Sequence, residues 1–145
     1  MISNGISRLC ARTLFTVTFI LGSVFAQAEV DIIVHSSVNE TASKDDLSRL
    51  YLGKTKSLAG GTTLEPINLQ SGNPVRDEFN DKILGKSDAQ LKSHWSRLVF
   101  TGKAQPPKDV GSDAEVIGLV KSNPGMIGYV SSGAAGDGVK VIATF

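Results

Sequence analysis

The chain has 145 residues, 41% hydrophobic and 20% charged, with 15 Lys and Arg against 14 Asp and Glu. That balance leaves no basic surplus to neutralise phosphates, which argues against nucleic acid as a partner, and the length suits one domain with its own core. One cysteine, Cys10, means that the fold must stand on packing rather than on disulfides.

Residues 1–28 read as an export signal. Arg8 and Arg12 form a positive start, residues 13–25 are uncharged and mostly apolar, and Ala26-Gln27-Ala28 offers a small-x-small cleavage pattern. An apolar run of about 13 residues is short of the roughly 20 that a spanning helix needs. An uncleaved anchor is the alternative. Cleavage before Glu29 would release a single domain, 29–145, into the periplasm or the medium, with no cysteine and a charge of about one negative unit.

Val30–His35 reads as a buried strand rich in β-branched residues. Ser43-Lys44-Asp45-Asp46 resembles a capping box and predicts a helix that carries Leu47, Leu50 and Tyr51 on one face and ends at Gly53. Gly60-Gly61 marks a turn before a strand over 63–69. Val75, Phe79 and Ile83 then form one helical stripe, closed by Gly85. Ser87-Asp88-Ala89-Gln90 is a second box, opening a helix with Leu91, Trp95 and Leu98 on its inner face, Trp95 as core and His94 exposed. Residues 101–111, with Pro106-Pro107, read as a loop. Ser112-Asp113-Ala114-Glu115 opens a last helix bearing Val116, Leu119 and Val120, which Asn123-Pro124-Gly125 stops. Residues 126–130 and 139–143 complete the strands, joined by a loose glycine-rich loop. The order β-α-β-α-α-α-β-β predicts a layered α/β domain with a partly parallel sheet.

The stretch LQSGNPVRDEF, 69–79, carries the most chemistry. A residue before proline is pushed out of the α region, so Asn73 is set up as an N-cap and Pro74 as the first helical residue. The first-turn amides and the helix dipole favour negative charge there. Ser71 adds a hydroxyl, Gly72 permits close approach and Arg76 could supply a cation. The plainer alternative is that Asn73 caps the helix alone and Arg76 pairs with a neighbouring carboxylate on a wet face. His35 and His94 lack metal-ligand spacing and cysteine companions, and no nucleophile elbow or Walker pattern occurs, so neither metal, cofactor nor catalysis is expected.

Several stretches together, DLSRLYLGKTKSLAGGTTLEPINLQSG, RDEF and VKSNPGMIGYV, resemble the second lobe of the phosphate-type (PstS-like) periplasmic substrate-binding proteins of ABC transporters. WSRLVFTGKAQPP resembles a variant found in small single-lobe relatives. The resemblance implies an α/β domain that is one lobe of a type II periplasmic-binding-protein fold, a mixed sheet of about four strands flanked by helices. It implies binding of a small oxyanion, phosphate first, by Ser71, Gly72 and Asn73, with Asn standing for the family's Thr. The family's upstream Arg is missing, Ile67 and Asn68 standing there, and Arg76 is the candidate replacement. Half of a two-lobed cleft is absent. The implied outcomes are weak binding, a site completed by a second copy, or an accessory module that has lost the anion and docks on a transporter or sensor protein.

Overall fold

The computed structural model describes residues 28–145; all but the last residue of the expected leader, 1–28, lies outside them. Five strands form one mixed sheet in the order β3-β2-β4-β1-β5, where β1 is Val30–His35, β2 Glu65–Leu69, β3 Lys108–Val110, β4 Met126–Ser131 and β5 Val139–Thr144. β1 pairs antiparallel with β4 on one side and β5 on the other, which is why Val30, Ile32, Ile33 and Val34 are all fully buried. β2 lies parallel to both β3 and β4, each link made through a helical crossover. The carboxyl ends of β2, β3 and β4 therefore share one end of the sheet, where ligands of open α/β sheets gather.

The described residues add four helices to the sheet: α1 Lys44–Tyr51, α2 Pro74–Phe79, α3 Asp88–Phe100 and α4 Asp113–Ser122. The boxes at Ser43 and Ser87 both close reciprocally. The third is only half made. Ser112 accepts from the Glu115 amide, but the Glu115 carboxylate accepts from Gly111 instead of from the cap residue. The Val75–Phe79–Ile83 helix is α only to Phe79 and then widens into a π-helical turn, Asn80–Leu84, closed by Gly85 in the left-handed region. Both amide atoms of Asn80, a buried residue, lack a protein partner in that turn.

The core centres on three rings. Phe79 stacks on Tyr129 with centroids 3.9 Å apart and meets Tyr51 edge-on at 4.6 Å. Tyr51 spends its hydroxyl on the Ile67 and Ile127 carbonyls, so burial strands no polar atom there.

Three expectations need correction. Residues 101–111 are not all loop: 108–110 pair with β2 as β3, making five strands rather than about four. Only three residues long, β3 is too short to show the alternation that marks a strand. His94 is half-buried rather than exposed, its Nε2 bonded to the Leu52 carbonyl at 2.9 Å and its ring edge-on to Trp95. Trp95 is half-buried rather than core, because α3 turns much of its apolar surface away from the sheet.

Candidate functional site

β2 ends under packed side chains at Leu69, and the chain must turn at once to start α2. Asn73 is extended (φ −77°, ψ 125°), and its side-chain carbonyl accepts from the Val75 amide at 2.9 Å, so it is spent as a cap. Gly72 sits at φ +87° with open space where a Cβ would be. A side chain there would strain the turn without touching anything. Among the described residues the amides of Ser71 and Gly72 have no acceptor.

The two side chains expected to meet an anion already meet one. The Ser71 hydroxyl donates to Asp88 Oδ2 at 2.7 Å. Arg76 Nη2 lies 2.8 Å from Asp88 Oδ1, off the line of its N–H, so the contact is chiefly coulombic. Arg76 Nη1 donates to the Leu69 carbonyl and to Asp109 Oδ1, the latter at 3.1 Å. Arg76 is only 7% exposed, which overturns the wet-face alternative while keeping its carboxylate partners. The Ser71 hydrogen bond, with help from the charges of Arg76 and Lys92 and against the cost of burial, holds the Asp88 carboxyl below its usual range.

The aromatic core supports this arrangement from beneath. The Tyr129 hydroxyl accepts from the Leu69 amide at 3.3 Å and donates to the Asn68 side chain. Burial, its largest cause, raises the Tyr129 phenol well above its usual range, so it stays a neutral donor. Of the positions where the family's missing Arg would stand, Ile67 is buried and Asn68 is bound to that tyrosine.

A groove of about 650 Å³ opens beside the turn. Its polar end holds Asn68, Ser71, Arg76 and Asp109; its apolar end runs along α3 to Phe100 and Pro107. Asp88 and Asp109 are the residues that sequence reasoning missed. Asp88 was legible only as a helix-start acid, and Asp109 lay in the supposed loop. Among the described residues no group of three or more His, Cys, Asp or Glu is placed to hold a metal ion.

A scan against protein-family models finds no match, and a search of curated proteins finds none. Solved structures do match. A putative phosphate ABC transporter substrate-binding protein with bound phosphate from Clostridium perfringens aligns at TM-score 0.62 and 18% identity, over 79% of this chain and 45% of its own. An ABC-type phosphate transport receptor from Vibrio cholerae aligns at TM-score 0.55 and 17% identity, over 81% of this chain and 47% of its own. PstS from Borrelia burgdorferi gives TM-score 0.53 at 18% identity, over 73% and 42%. The fold is that of one PstS-type lobe. The chain spans somewhat under half the length of these neighbours, and the expected lobe architecture and mixed sheet hold. Two of these neighbours are named as a transport receptor and a substrate-binding protein.

Proposed function

We propose that the chain is an exported, PstS-like solute-binding lobe that recognises a small oxyanion, phosphate first, at Ser71, Gly72 and Asn73 with Arg76. The carrying observation is the Asp88 carboxylate, one oxygen on the Ser71 hydroxyl and the other beside the Arg76 guanidinium. A hydroxyl donor and a guanidinium charge thus face two oxygens of one anionic group, as they would two oxygens of phosphate, beside the spare amides of Ser71 and Gly72. Asn73 contributes by shaping the turn, its carbonyl being occupied. An internal carboxylate on a short tether competes at roughly millimolar effective concentration or more, and one lobe leaves much of a phosphate in water. Binding by the free chain is therefore weak, and a transporter, a sensor or a second copy would complete the enclosure.

Calorimetric titration with phosphate and sulfate tests this reading. Asp88→Ala removes the competitor and one negative charge, so phosphate affinity rises about tenfold or more, roughly 1.4 kcal/mol; adding Ser71→Ala takes the gain away. If folded Asp88→Ala still gives no heat with millimolar phosphate, the oxyanion reading is wrong. Export is tested separately: the secreted protein should begin at Glu29 on N-terminal sequencing.

One observation favours a second reading, a docking module that no longer takes up an anion. Phe100 is 93% exposed at the end of α3, an odd place for a phenylalanine on a lobe that only captures phosphate.

A further inference from the structure

The groove beside Arg76 does not end at Phe100. A second trough of about 670 Å³ lies on the other side of Trp95, and Trp95, Pro106 and Pro107 line both. Trp95 is held there because its ring packs against Gly53, where a Cβ would come within 2.8 Å of Cη2. Either trough greatly exceeds a phosphate. Together they make a long apolar surface, with Val99 43% and Phe100 93% exposed at one side.

The charges along it are lopsided. Lys92 lines the first trough and Lys56 and Lys103 the second, and none of the three pairs with a carboxylate among the described residues. Of the lining carboxylates, Asp109 is committed to Arg76, which leaves Glu65. Three cations without a close ion pair, Lys92 sharing its charge with Asp88, line an apolar trough on a chain that is otherwise close to neutral, and they attract an acidic ligand with large apolar side chains.

We propose that this double trough is the docking site for an acidic peptide segment of another protein, with apolar side chains seated on either side of Trp95 and its carboxylates facing Lys92, Lys103 and Lys56. The proposal takes up the docking reading and gives it a place and a partner chemistry. Two other occupants fit less well. A flat lipid surface would leave both concavities unfilled. In a symmetric pair of copies, the same cations would face one another across the two-fold axis.

Selection of a random library of peptides of about 12 residues on the purified protein tests it, with Trp95, the single tryptophan of the chain, as the fluorescent reporter. Recovered peptides should be rich in Asp and Glu with aromatic or Leu residues, shift Trp95 emission saturably, and bind less tightly as salt rises. Phe100→Ser, and separately Lys92→Glu with Lys103→Glu, should each weaken binding about tenfold or more while the folded circular dichroism spectrum is kept. Neutral or basic selectants, or no enrichment at all, would overturn the proposal. So would affinities indifferent to these substitutions, binding to anionic phospholipid vesicles instead of peptide, or Phe100-dependent self-association in sedimentation. Phosphate titration bears on the turn alone, so each reading can fail without the other.

Discussion

Phe79 and Phe100 are the same residue in opposite circumstances, the one without solvent exposure and the other 93% exposed. Around Phe79, the antiparallel strands and the three rings close a dry core in which each tyrosine hydroxyl finds an oxygen acceptor. Around Phe100, α3 leaves Val99 and Phe100 on a surface that the chain itself does not cover, along a groove whose lining also includes Arg76 and Asp109. The contrast separates what makes the domain fold from what it leaves exposed to solvent. Apolar burial contributes most of the first; charges and uncovered apolar area make up the second.

The core side of the comparison is the easier to break. Phe79→Ala removes a ring that touches both tyrosines, and should cost about 3–5 kcal/mol in urea unfolding, enough to threaten the fold of a small domain. A loss below about 1.5 kcal/mol would mean that the ring stack is not the structural centre.

Arg76 stands between the two regions and should give the next largest effect. Removing one member of a buried ion pair costs about 3–5 kcal/mol, but Asp88 and Asp109 have side chains 28% and 51% exposed and can be rehydrated. Arg76→Met should therefore cost about 1–3 kcal/mol. Adding Asp88→Asn should return part of that, since the stranded charge is then gone. If the double variant is less stable than Arg76→Met alone, Asp88 does something other than balance Arg76.

Acid titration sharpens the same contact with a smaller effect. Asp88 has a lowered carboxyl pKa in the folded state, chiefly through the Ser71 hydroxyl. A group shifted down on folding adds stability above its unfolded value, near 4, and loses it as pH falls through the folded one. Wild-type stability should thus fall more steeply than that of Asp88→Asn as pH drops below about 4. Asp46, lowered by its Ser43 hydrogen bond, adds to the slope in both proteins and cancels in the difference. Equal slopes would show that the Ser71–Asp88 bond is not kept in solution.

How much of this the sequence disclosed follows the same division. The strand VDIIVH, the reciprocal caps at Ser43 and Ser87, and the stripe through Phe79 were legible because each rests on local pattern alone. The turn at Ser71 was legible for the same reason, since Asn-Pro fixes its own backbone. Asp88 and Asp109 were not, because their partner Arg76 comes from another element, and no spacing rule links three residues that only the tertiary fold brings together. Trp95 misled because helical spacing says which residues share a face, not whether anything covers that face.

The smallest expected effect discriminates most sharply on the outer side. Phe100 projects almost wholly into solvent, so Phe100→Ser removes little packing and should change unfolding free energy by no more than about 0.5 kcal/mol. A neutral result on stability, set beside the severe one expected at Phe79, would mean that this ring contributes nothing to holding the lobe together. A loss of 1.5 kcal/mol or more in urea unfolding would instead mean that α3 folds back over Phe100 in solution. The surface offered to a partner would then be smaller than the structure indicates.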